Sequence, residues 1–231
     1  TIVVETVLHR ADPHQRVRAL VDEVPGHGWC VAAPVVPEEP VVAVGAHGLA
    51  NGLVRLEVEP DDGTWSIDGL AGMGQLVDSG DVGDTYNWCP PDLDTVVDRP
   101  RTVTVTVTEA GPVRGVIVID TDHLLPERGG VDAEGRSVRT GELHQRVRTT
   151  LTLDAGEPFV RVTVELDQRA RDHRLRAHFP LARRTDHSTA ECAFALVRRP
   201  LHAEAGPNEW GVPTYPSRRF VRAGGVLIAH E

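Results

Sequence analysis

Residues 102–119 read TVTVTVTEAGPVRGVIVI. Val and Thr alternate through 102–108, so successive side chains point to opposite sides and one apolar face can be buried while the threonines meet water. Both residue types are β-branched and stiff at χ1, which suits a pleated strand better than a helix. Gly111-Pro112 interrupts the run with a residue free to turn and one that cannot donate to a ladder. VRGVIVI then resumes at strand length. The stretch predicts a β-hairpin and sets the class of the chain.

Outward from the hairpin the same grammar repeats. Downstream lie HQRVRTTLTL (144–153), FVRVTVEL (159–166), RLRAHFPL (174–181), ECAFALVRR (191–199) and a final VLIA. Upstream lie IVVETVL (2–8), RVRALVDEV (16–24), WCVAAPVV (29–36), VVAV (41–44), LVRLEVEP (53–60) and TWSI (64–67). Asn51-Gly52 and Asp62-Gly63, set between apolar runs, tolerate the positive φ of tight turns and predict hairpins. Residues 120–142 are polar, Gly-rich and charged, and predict a long mobile loop. No window sustains a 3.6-residue apolar stripe, so helices are expected to be short or absent. There is no internal repeat at a fixed period. The expected architecture is antiparallel all-β, most economically a large β-sandwich.

The totals exclude several functions. The 231 residues carry 24 Lys+Arg, all of them arginine, against 34 Asp+Glu, a net charge of −10. That balance repels a phosphate backbone and argues against nucleic acid as a partner. Three scattered cysteines make neither a disulfide framework nor a thiolate zinc site, and they suit a reducing, cytoplasmic setting. No apolar run approaches the roughly 20 residues of a membrane-spanning helix. The chain begins at TIVVETVLHR and stops at GGVLIAHE, both in mid-strand, which predicts a longer polypeptide.

One stretch departs from the strand grammar. Residues 78–92, DSGDVGDTYNWCPPD, crowd acidic residues, glycines, an aromatic pair and Pro-Pro into one loop. Asp78, Asp81 and Asp84 recur every third position, which lacks the alternate-residue spacing of an EF-hand. Two readings stay open. The aspartates can cap turns by accepting backbone N–H bonds. Alternatively Asp81, Asp84, Asn87 and the Tyr86 hydroxyl form a polar rim for a hydroxyl-rich ligand, with Trp88 as an aromatic face. Neither needs a catalytic residue within this chain. The eleven histidines show no HExxH or comparable spacing, and no metal ligand is assigned. For the charged clusters at 172–176 and Arg198-Arg199-Pro200, ion pairing within the sheet and ligand contact are the two alternatives.

Three pieces carry a family resemblance. NGLVRLEVEPDDGTWSIDG (51–69), LVDSGDVGDTYNWCPPD (76–92), and DHRLRAHFP with FALVRRP (172–180, 194–200) resemble the C-terminal β region of glycoside hydrolase family 38, the α-mannosidases, in the order found in bacterial members. The resemblance implies a galactose-mutarotase-like supersandwich over 41–231, preceded by a small β domain or its remnant over 1–40. It implies a retaining hydrolase of α-mannosides whose zinc ion and nucleophile lie in an N-terminal catalytic domain absent from these residues. This chain then holds no cofactor and no catalytic residue, and is expected to be inactive alone. Its partners are the catalytic domain, a mannoside substrate and, as an open expectation, further copies of itself. Tyr86 matches the tyrosine that the family sends into the sugar pocket; Arg198 or Arg199 matches, more loosely, an arginine that approaches it. A stand-alone carbohydrate-binding module and a purely structural domain are the competing readings.

Overall fold

The computed structural model describes residues 2–8, 15–21, 26–29, 31, 33–84, 86, 88–208 and 211–230, with only the strand path given for 2–8 and 15–16. Among them there are 19 strands and no helix. The chain is all-β, as the alternation predicts. It divides into two units, residues 1–82 with 90–178, and residues 83–89 with 179–231.

In the first unit, β1 (Ile2–Leu8) and β2 (Gln15–Val21) form an antiparallel hairpin. A five-stranded meander follows: β3 (Val42–Val44), β4 (Gly48–Ala50), β5 (Arg55–Val58), β6 (Trp65–Ile67) and β7 (Leu70–Met73). β8 (Gln75–Gly80) leads into the 78–92 stretch. β9 (Thr102–Ala110) and β10 (Arg114–Leu125) are the hairpin read at 102–119, closed by a bond from Gly111 N–H to Arg114 C=O of 2.9 Å. β11 (Arg128–Val131) and β12 (Ser137–Thr140) pair with each other. β13 (Leu143–Asp154) and β14 (Arg161–Leu166) complete a four-stranded sheet in the order β14-β13-β10-β9. β15 (His173–His178) pairs antiparallel with β8.

The meander lies against one face of the four-stranded sheet. A Cβ on Gly115 of β10 would stand 2.7 Å from a Val41 methyl and 2.8 Å from Leu49. A Cβ on Gly63, in the turn after β5, would likewise stand 3.2 Å from Ile119 and Thr121 methyls. Leu49, Leu56, Val58, Trp65 and Met73 from one layer and Ile117, Ile119, Val147, Leu151 and Leu153 from the other are buried. This is a sandwich core, and truncating one such leucine to alanine costs about 2–5 kcal/mol. The layers are also tied by a polar tether. Asn51 is fully buried and donates through Nδ2 to the carbonyls of Asp154 (2.7 Å) and Glu157 (2.8 Å), while its Oδ1 accepts from Leu53 and Val54 N–H.

The second unit holds β16 (His187–Cys192), β17 (Ala195–Pro200), β18 (Phe220–Ala223) and β19 (Val226–Ala229) in the order β17-β16-β18-β19.

Three expectations are corrected. Residues 120–142 are not a long loop: β10 runs on to Leu125, and the β11–β12 hairpin fills most of the rest. The charged residues there are consumed by structure, with Asp132 accepting from the backbone and side chain of Arg136, and Arg139 buried and bonded to Asp78. Residues 29–36 form no strand among the described residues; Val35 makes a single bridge to Leu20. The run 191–199 is broken into β16 and β17 by a turn in which Phe194 takes φ +67°, a conformation its side chain does not advertise.

Candidate functional site at the 78–92 loop

β8 enters the loop with Val77, Asp78, Ser79 and Gly80 all buried. An isolated carboxylate at such a position is costly, so it must be paired and hydrogen-bonded. Asp78 is paired twice: Arg139 of β12 donates from Nη2 to Oδ1, and His173 of β15 meets Oδ2 through Nδ1. A carboxylate can only accept, so Nδ1 carries the proton. Arg139 Nη1 continues to Thr95 C=O at 2.9 Å and lies 3.6 Å from Asp94. Asp94 accepts Gly80 N–H with both oxygens, at 2.9 and 3.0 Å.

The returning limb is fixed as firmly. Pro91 packs so closely on Gly80 that a Cβ there would meet the proline ring at 2.5 Å. Asp92 accepts from Ser137 N–H (2.7 Å) and Ser137 O–H (2.8 Å). Those bonds from the Ser137 backbone and hydroxyl hold the Asp92 carboxyl below the ordinary aspartate range. Leu93 N–H donates to Ser137 C=O at 3.1 Å. On the outgoing side Asp81 N–H donates to Asp172 C=O at 3.0 Å. Asp172 itself has φ +51°, and its carboxylate is anchored on Gly129 N–H at 3.0 Å. Asp81 on one side and Pro91 to Leu93 on the other are thus each fixed within the first unit.

The tip is different in character. Asp84 is exposed and accepts Tyr86 N–H at 2.8 Å, an Asx turn. Tyr86 is 92% exposed. Trp88 is half-buried, and Asn87 lies outside the described residues. Asp81 is half-buried, with its charge acting on Arg174 of β15. Arg198 and Arg199 are consecutive on β17 and therefore project to opposite faces. Arg198 lies 3.1 Å from the His187 ring and 3.5 Å from Asp186. Arg199 donates to Cys192 Sγ at 2.6 Å and stacks over the Tyr215 ring at 5.0 Å. A ligand on one face of β17 meets only one of the two arginines.

One feature was not among the sequence-based expectations, and one sharpens the charged cluster read at 172–176. Arg139, which neutralises Asp78, comes from a stretch that reads as loop. Arg174, Arg176 and His178 share one face of β15 by period 2, a signal present in HRLRAH. Desolvation and the neighbouring Arg176 lower the pKa of Arg174, while desolvation followed by both arginines lowers that of His178. Among the described residues no three His, Cys, Asp or Glu side chains gather as a metal cage.

Comparison with known proteins gives this geometry a context. The model of the glycosyl hydrolases family 38 C-terminal domain matches residues 49–223. Alpha-mannosidase 2C1 of Homo sapiens is 24% identical over 176 residues, covering 73% of this chain and 16% of that protein. The crystal structure of an alpha-mannosidase from Enterococcus faecalis V583 superposes with a TM-score of 0.73 at 19% identity, over 95% of this chain and 28% of that one. A second Enterococcus faecalis structure, of a protein in glycosyl hydrolase family 38, gives a TM-score of 0.69 at 18% identity, over 96% of this chain and 29% of that one. The chain therefore spans less than a third of each of these relatives. With three quarters of its length matched, the chain belongs to the glycosyl hydrolase family 38 C-terminal domain family.

Proposed function

We propose that this chain is the accessory β region of an α-mannosidase and lends the 78–92 loop to one wall of the sugar site, with Tyr86 as the contacting residue. The observation that carries the reading is a mismatch between stem and tip. A buried ion cluster, Pro91 on Gly80 and the Asp92–Ser137 bonds make the stem rigid, yet Tyr86 at the tip is 92% exposed and does no packing work in the chain. Rigid elements that present an uncommitted polar aromatic are how binding groups are displayed. Asp84 sets the Tyr86 backbone, while Asn87 and Trp88 follow it in sequence.

The partner is a catalytic domain of the same enzyme, which brings the nucleophile and the zinc ion. The β15 pair of Arg174 and Arg176 offers positive charge to such a partner within an otherwise acidic chain. The substrate class is α-mannosides.

The test is Tyr86→Phe in the full-length enzyme, assayed on an aryl α-mannoside. Losing a hydrogen bond that tightens in the transition state lowers kcat/KM by about tenfold; an unchanged kcat/KM removes Tyr86 from the site. The isolated 231-residue chain is expected to hydrolyse nothing, and zinc-dependent turnover by it would sink the assignment. A second reading, a stand-alone carbohydrate-binding module, draws on the same exposed tyrosine. Saturable calorimetric binding of mannose to the isolated chain would favour it.

A further inference from the structure

β14 is the edge of the four-stranded sheet, and among the described residues it pairs on one side only, with β13. Its register places Val162, Val164 and Leu166 opposite Leu151, Thr149 and Val147, so these three extend the same face that is buried further in. On β13 that face is covered at Leu151 and Val147; on β14 it is not, and Val162, Val164 and Leu166 are 40%, 42% and 39% exposed. Proteins usually blunt such an edge with a proline, a bulge, a lysine or an inward-pointing charge. Residues 161–166 have none of these: the pairing with β13 is continuous, and the charged Arg161 and Glu165 lie on the outer face with Thr163. An unblunted, apolar-backed edge of six residues asks for a covering strand.

The order of residues on β14 specifies which strand. The segment Val160-Arg161-Val162-Thr163-Val164-Glu165-Leu166 reads symmetrically about Thr163 in chemical type. Antiparallel pairing with a second copy about a two-fold axis through Thr163 sets Arg161 against Glu165 twice. The same register sets Val162 against Val164, Val160 against Leu166, and Thr163 against itself. An axis perpendicular to the sheet keeps both apolar columns on the same side, so they fuse into one strip. Such an interface is isologous and closes at two copies. Opposite charges and apolar pairs directly across strands are the stabilising combinations, and each would be made twice. Arg161 already donates to Asp154 and Glu157 through its Nη atoms and sits over the Phe159 ring, so three of its five guanidinium donors are used within the chain and two remain for a partner.

We propose that β14 is a homodimerisation edge, joining two copies into a continuous eight-stranded sheet with Thr163 on the two-fold axis. This is independent of the role assigned to Tyr86.

The experiment is sedimentation velocity on the 231-residue chain across a concentration series. A reversible dimer is expected. Glu165→Arg opposes Arg161 with a like charge at both symmetric positions and weakens the dimer by about tenfold. Thr163→Asp, which places two carboxylates on the axis and leaves the apolar face intact, also gives monomer. A wild-type monomer at every concentration overturns the proposal. So does a dimer indifferent to both Glu165→Arg and Thr163→Asp. Hydrogen exchange on the full-length enzyme supplies the remaining arm: β14 amides protected equally in dimer and in Thr163→Asp monomer mean that a strand of the same polypeptide already occupies the edge, which also overturns it.

Discussion

Asp78 and Arg139, 61 residues apart in sequence, form an ion pair in which neither side chain touches water. Two buried charges cost several kcal/mol each to desolvate, and removing one leaves the other uncompensated. Arg139→Met is therefore expected to destabilise the chain by about 3–5 kcal/mol, read from urea unfolding midpoints. The paired change Asp78→Leu/Arg139→Met, which removes both charges of the pair together, should be more stable than the single variant. A single variant within about 0.5 kcal/mol of wild type would show that the pair is not dry.

Gly80 is required by its neighbour and not by its backbone angle. Gly80→Ala drives a methyl into the Pro91 ring at 2.5 Å and into Arg139 Cδ at 2.9 Å, and should cost about 1–3 kcal/mol. Pro91→Ala removes the nearer obstacle, so the double variant should recover part of the loss. Equal stabilities of Gly80→Ala with and without Pro91 would refute this account of the stem.

Asn51 fills all four of its hydrogen-bonding positions while fully buried. Asn51→Ala strands two carbonyls and two backbone N–H groups, a loss of about 2–4 kcal/mol. Thermal unfolding should show a single transition moved to lower temperature. An unmoved transition would mean that water replaces the amide without cost.

Two titrations have opposite causes and the same sign. Burial lowers the pKa of His123, so the unfolded chain binds its proton first as pH falls below the usual histidine value of about 6.5. Stability is thus lost as pH drops from about 6.5 toward the folded pKa, and His123→Gln should flatten the profile in that window. Asp92 is lowered by its bonds from Ser137, so its contribution is present above the unfolded value of about 3.9 and disappears as pH falls through the folded pKa. Ser137→Ala removes the hydroxyl bond but keeps the larger contribution of the Ser137 N–H, so it should return the Asp92 carboxyl part of the way toward ordinary aspartate behaviour in an NMR titration. A Ser137→Ala curve superposing on wild type would count against the Asp92–Ser137 clamp.

The sequence disclosed what local chemistry decides. Alternating Val and Thr specified β9, and Asn51-Gly52 and Asp62-Gly63 marked turns that both glycines complete at positive φ. The stretch 78–92 stood out because its composition departs from that of a strand. The missing parts are long-range. Nothing near Arg139 announces that its charge belongs to Asp78, so the polar residues around it read as a loop when they are a paired hairpin. His173 was visible as part of a charged cluster, but its partner is set by the pairing of β15 with β8. The turn at Phe194 lacked any turn-forming residue, whereas the placing of Arg198 and Arg199 on opposite faces was already implicit in reading 191–199 as a strand.

The pairing of β8 with β15 also sets a schedule. Asp78 leaves the ribosome 95 residues before His173. At about 5–20 residues per second, the nascent chain waits on the order of 5–20 s before the partner of β8 exists. For that time a strand bearing a carboxylate without its histidine, and an edge without its ladder, must be kept from pairing wrongly. Slow codons or chaperone dwell between residues 80 and 173 would prolong that exposure, and yield of the folded chain should fall as synthesis of this interval is slowed.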